Sequence, residues 1–141
     1  MLFDKNWRTW RRCRVVVNAV SDYLAPKYEL YALVGKRIKD AEELPNKKAL
    51  GYLAGFTETA LRERNLFSGP IKYSYGVLRT VFERIWGAEL GYKYLECWIN
   101  NMNDPETLAG YELGVEDCLF VSRTGTKDFL GQLGDCWQSE L

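Results

Sequence analysis

The sequence predicts an all-α fold, a compact bundle of about six helices forming a single domain over residues 1–141. Three observations carry this expectation. Apolar residues recur at three- and four-residue spacing over most of the chain. Proline, asparagine and glycine fall between the periodic segments, where helices begin and end. The chain is also long enough to bury a core without staples, and its five Trp, nine Tyr and six Phe provide bulk to fill it.

The first helix is expected at about 4–24, where Trp10, Cys13, Val16, Val17, Val20 and Leu24 form one apolar arc. Pro26 should separate it from a second helix at about 27–42. Pro45 with Asn46 opens a third segment that runs to about Arg64 and stops at Asn65 and the Ser68-Gly69-Pro70 breaker. In the fourth, Val77, Leu78, Val81, Phe82, Ile85 and Trp86 recur in pairs every four residues, with Arg79, Thr80, Glu83 and Arg84 opposite them. Gly87 marks a junction to the fifth, where Leu90, Tyr94, Leu95, Trp98, Ile99 and Met102 share a side. Asp104-Pro105-Glu106 then reads as a cap, a first-turn proline and a dipole-complementing acid, opening a helix from Pro105 to about Val121. Cys118 to Val121 has strand-like character, and Gly125, Gly131 and Gly134 weaken any helix after Arg123. Val81, Phe82, Ile85, Trp98 and Ile99 are the expected core.

A motif repeats inside the chain. Gly51-Tyr52-x-x-Gly55-x-x-Glu58-x-x-Leu61 returns 59 residues later as Gly110-Tyr111-x-x-Gly114-x-x-Asp117-x-x-Phe120. Each copy follows a proline-started helix preceded by an aromatic-rich segment, which suggests a duplicated three-helix unit. Glycines four apart lie on one helix face and remove side-chain bulk there, as close helix packing or a closely approaching ligand would require.

Composition excludes several function classes. No histidine is present, so imidazole acid-base catalysis, Ser-His and Cys-His nucleophile pairs and His-ligated metals are all unavailable. Cys13, Cys97, Cys118 and Cys136 are widely spaced, without a Cys-x-x-Cys pair, and read as reduced structural thiols. Neither Gly-x-x-x-x-Gly-Lys-Ser/Thr nor Gly-x-Gly-x-x-Gly occurs, and Arg123-Thr124-Gly125-Thr126-Lys127 reads as a polar surface turn. Apolar runs such as Leu30 to Val34 fall far short of the roughly 20 residues of a membrane span, and no signal-peptide pattern opens the chain. The expected address is cytoplasmic, with no cofactor and no membrane partner.

Two sets of polar residues could carry function. Glu112, Glu116 and Asp117, with Glu58 or Glu63 from the earlier segment, would be the acidic pairs of a magnesium-dependent hydrolase if they converged, and a solvated acidic face if they did not. The second set is the N-terminal segment. Wound as a helix, it places Arg8, Arg11, Arg12 and Arg14 on one arc with Trp7 at its border.

Charge is segregated along the chain: residues 1–72 hold 14 Lys and Arg against 8 Asp and Glu, whereas residues 73–141 hold 5 against 11. Charge segregation and the missing catalytic groups together favour a non-enzymatic interaction protein, an accessory, inhibitor or adaptor of the kind carried by viruses and mobile elements. Its expected partner is a protein, met through Trp7, Arg8, Arg11, Arg12 and Arg14; self-association is also open. The alternative is a subunit that contacts RNA or DNA through the basic half, which overall neutrality disfavours for a free-standing binder.

Overall fold

The structure is a computed structural model that describes residues 2–39, 47–66, 71–125, 131–133 and 136. These form five helices: α1 (Leu2–Lys39), α2 (Lys47–Glu63), α3 (Ile71–Trp86), α4 (Ala88–Asn100) and α5 (Pro105–Thr124). There is no strand among the described residues, and none of the helices is long and apolar enough to cross a membrane.

Two expected boundaries are absent. The chain does not break at Pro26; α1 runs straight through it. A mid-helix proline costs about 3 kcal/mol or more, but the residues around this one are tightly held by tertiary contacts. Leu24 and Tyr28 are fully buried, the Tyr28 hydroxyl donates to the Ala49 carbonyl at 2.6 Å, and its ring meets Trp86 edge-on. Cys118 to Val121 is helix rather than strand, because buried Cys118 continues the face of α5 that packs inward.

The predicted stops and caps at the other boundaries appear as stated, except that Pro45, Asn46 and the Ser68-Gly69-Pro70 segment lie outside the described residues. Asn65 adopts φ 57° after α2, with Asn65 N–H bonded to the Arg62 carbonyl and Leu66 N–H to the Leu61 carbonyl. That pair of bonds satisfies the orphan carbonyls of the last turn. Gly87, at φ 89° and ψ 165°, occupies backbone space open essentially only to glycine, and it turns the chain from α3 into α4. Asp104 caps α5 by accepting from the Glu106 and Thr107 N–H groups.

Of the expected core, Val81, Phe82 and Trp98 are buried and Ile85 is half-buried, but Ile99 is exposed. Leu90 and Met102 are exposed as well. Gly91 explains the rotation: a Cβ there would come within 2.7 Å of the Glu83 Cα, so α4 approaches α3 through its bare backbone. The face defined by Gly91, Tyr94, Leu95 and Trp98 turns inward, and Leu90 and Ile99 turn out.

Helices α2 and α5 pack backbone against backbone. A Cβ on Gly51 or Gly55 would land on the Thr107 or Tyr111 carbonyl, and one on Gly110 or Gly114 would land on the Lys48 or Tyr52 carbonyl. Partner numbers rise together, so the helices run parallel, and exchanging the two copies of the repeated motif exchanges the contacts. Hydrogen bonds obey the same exchange: Tyr111 donates to Glu58, and Tyr52 donates to Asp117 at 2.5 Å. Helix α2 is buried on every side from Ala49 to Thr59. Beyond α5, Asp117 also accepts from the Gln132 backbone N–H at 2.5 Å and its side-chain amide at 3.0 Å, which ties the fully buried Leu133 to the bundle.

Helix propensity alone would make Gly55→Ala and Gly114→Ala stabilising by about 1 kcal/mol. Backbone contact reverses the sign, and each substitution should instead destabilise by about 1 to 3 kcal/mol in urea titrations. A gain in stability would show that the two backbones do not touch.

Candidate functional site

Helix α1 sorts its N-terminal residues by face. Cys13, Val16, Val17, Val20 and Leu24 are buried, whereas Arg8, Arg11, Arg12 and Arg14 are all exposed. By the 100° helical step the four guanidinium groups leave within about 160° of arc, so their fields add at one surface. No carboxylate among the described residues pairs with any of them: the three ion pairs there are Lys47–Asp104, Arg62–Glu58 and Arg79–Glu83. Arg12 has an internal role, donating to the Arg64 carbonyl at 2.8 Å and so pinning α1 to the end of α2.

Trp7 lies within this basic arc rather than at its edge. It is 57% exposed, and the Arg11 guanidinium sits 4.7 Å from its ring centroid. Trp10, placed by periodicity on the apolar arc of this helix, is 43% exposed. Its ring lies across α3 at Gly76, where a Cβ would approach it to 2.6 Å. Glycine at position 76 therefore makes room for the indole to lie over α3.

Exposed aromatic residues also occur on the two helices beside this face. Helices α1 and α4 flank α3, and between them α3 presents Tyr75 and Arg79, both exposed. The Arg79 guanidinium stands 5.5 Å from the ring centroid of Tyr92 on α4, which is also exposed, and pairs with Glu83 at 3.0 Å. Trp7, Trp10, Tyr75 and Tyr92 thus place four exposed aromatic rings among arginines on three helices. Periodicity had assigned Tyr75 and Tyr92 no role, because which flank of α3 stays open depends on where α1 and α4 dock.

The carboxylate set does not converge. Glu112 and Glu116 are exposed on α5, while Asp117 is buried against Tyr52 and Gln132, and Glu58 is buried against Tyr111 and Arg62. No group of three or more Asp, Glu, Cys or His side chains able to hold a metal forms among the described residues. Burial raises the Glu58 carboxyl above its ordinary range, opposed by its bonds to Tyr111 and Arg62. Burial, followed by the neighbouring Glu58, pushes the Tyr111 hydroxyl up to about 12.

A carboxyl whose pKa is raised by folding binds its proton more tightly in the native state, so its contribution to stability falls as pH climbs from the unfolded value through the folded one. Glu58→Gln keeps an acceptor for Tyr111 and removes the buried charge. The variant should lose this part of the pH dependence, which begins above the ordinary glutamate value of about pH 4, in thermal melts. An unchanged slope would show that Glu58 is solvated in the native protein.

No family model matches the chain, and neither a curated protein nor a solved structure shows significant similarity to it.

Proposed function

We propose that this protein works by binding rather than catalysis, docking an acidic protein partner on the arginine and tryptophan face of α1. The observation that carries the reading is the exposure of Trp7 beside Arg8, Arg11 and Arg14 with no described carboxylate neutralising them. Trp, Tyr and Arg are the residues over-represented at binding hot spots, where arginine takes carboxylates in planar, two-point contacts. Glu83, Glu89 and Glu96 on the neighbouring helices make the surrounding surface mixed rather than uniformly basic, which favours a protein over a nucleic acid. The four cysteines stand as thiols rather than disulfides, which fits a reducing compartment such as the cytoplasm.

We also read the chain as one domain of two related halves, the first contributing α1 and α2 and the second α3, α4 and α5. The reciprocal contacts of the repeated motif support this reading, and α1 likewise runs parallel to α3, with Trp10 over Gly76 and Asn18 bonded to Arg84. On this reading, unbroken α1 corresponds to the α3–Gly87–α4 segment.

Arg12 is left unchanged in the test because it also holds α2. Tryptophan fluorescence should report salt-sensitive binding of a Glu- and Asp-rich peptide containing aromatic residues. Arg8→Glu with Arg14→Glu should weaken that binding at least about tenfold, or 1.4 kcal/mol, with unfolding stability moving by only about 0.5 kcal/mol. Unchanged peptide binding would refute the surface assignment. Tighter binding of single-stranded DNA of equal length, lost in the same variant, would transfer the surface to nucleic acid.

A further inference from the structure

Helix α5 packs chiefly on α2, through Gly110 and Gly114. By the 100° helical step, Leu108, Glu112, Leu119 and Arg123 lie within about 60° of arc on the opposite half of its surface. Leu108, Glu112 and Arg123 are exposed there and Leu119 is half-buried. Leu108 also lines a pocket of about 210 Å³ with Tyr111, with Trp98 from α4 and with exposed Met102 from the turn after α4. Apolar cavities of about 150 Å³ hold a benzene ring, so this pocket has room for an indole. Glu58 lines it as well, and the nearby Arg62 is held by that carboxylate and by the Tyr111 hydroxyl.

The outer face of α1 has a matching layout. Trp7, Arg11, Asn18 and Asp22 are exposed and also fall within about 60° of arc. Arg11 follows Trp7, and Glu112 follows Leu108, by one i to i+4 step. Trp7 to Asp22 and Leu108 to Arg123 then span the same length, about 22 Å at 1.5 Å per residue. Laid parallel with Trp7 level with Leu108, such a pair of helices sets Arg11 against Glu112 and Asp22 against Arg123. The two pairs are opposite in sense, so sliding the helices by a turn or reversing one of them breaks the Asp22–Arg123 pairing and takes Trp7 off the pocket. Trp7 is 57% exposed and carries the Arg11 guanidinium 4.7 Å from its ring centroid, so a ring seated in the pocket brings that charge to Glu112 at the rim. Exposed Glu116, one turn beyond, adds to the negative charge that Arg8, Arg11 and Arg14 would meet.

We propose that the acidic partner of the α1 face is α5 of a second copy of this chain, with Trp7 of one copy seated in the pocket beside Leu108 of the next. The inference rests on the reading of α1 as a docking face and names its occupant. Each copy offers one α1 face and one α5 face, so copies join head to tail, into a ring if the rotation closes and an open chain if it does not. The buried indole supplies most of the affinity. Exposed ion pairs contribute less to it and fix the register and direction of the helices.

The test is sedimentation velocity of the full chain over a wide range of concentration. The unaltered chain is expected to gain mass as concentration rises, and less so in high salt. Trp7→Ala with Arg11→Glu removes one side of the contact, and Leu108→Lys with Glu112→Lys removes the other. Each variant, shown by circular dichroism to be folded, should associate at least about tenfold more weakly. Mixed together, the two should form a pair with one copy of each that grows no further, because each keeps the face that the other lacks. Asp22→Arg should weaken association, and Arg123→Asp in the same chain should restore it. An unaltered chain that stays monomeric at every concentration, association indifferent to both variants, or a mixture that stays monomeric would overturn the second copy as partner. Charge exchange without restoration would overturn the register. If the unaltered chain is monomeric yet binds the acidic peptide and loses it in Arg8→Glu with Arg14→Glu, the α1 docking face stands and self-association falls.

Discussion

Backbone contact between α2 and α5 is the constraint from which the rest of the structure follows. Gly51, Gly55, Gly110 and Gly114 let each helix place its carbonyls where the other would otherwise have side chains. At this distance Cα–H groups face carbonyl oxygens across the seam, a weak attraction repeated along its length. Close approach also brings each tyrosine of the repeated motif onto the opposite helix, so Tyr52 reaches Asp117 and Tyr111 reaches Glu58. Those carboxylates are thereby drawn into the interior as hydrogen-bond acceptors. A glycine stripe that could have been a ligand cradle is filled by a second helix.

With α5 on one side, the other faces of α2 are left for α1, α3 and α4, and α2 becomes the buried axis of the bundle. Helix α1 lies antiparallel to α2 and parallel to α3, and its inner face is used up by Cys13, Val16, Val17, Val20 and Leu24. The arginines between them point outward as a consequence of helical period. Arg12 reaches back to cap the end of α2, which gives the basic face a rigid base. Arg8, Arg11 and Arg14 have no such partner among the described residues, and all three are exposed.

The two halves meet mainly through apolar and backbone contacts. Lys47–Asp104 is the ion pair between halves among the described residues; the other two join residues four apart in one helix. Surface pairs of this kind contribute little to stability, so these three pairs are not what holds the bundle together.

Much of the fold was legible from local chemistry. Asp104 followed by Pro105, Asn65 after α2, and Gly87 between α3 and α4 act within a few residues of where they stand, so their effects can be read from the chain. The inward face of α3 and the basic arc of α1 are likewise properties of a single helix. Tertiary structure decided whatever depends on a second element. Pro26 lies inside a helix because Leu24 and Tyr28 are held by distant residues, and Ile99 faces outward because Gly91 lets α4 rotate onto α3. Tyr75 and Tyr92 stay exposed, as Trp7 and Trp10 do, because of where α1 and α4 dock on α3. Helix period and capping are encoded over a few residues, whereas which face meets which neighbour depends on contacts between residues far apart in sequence, so only the assembled bundle could settle it.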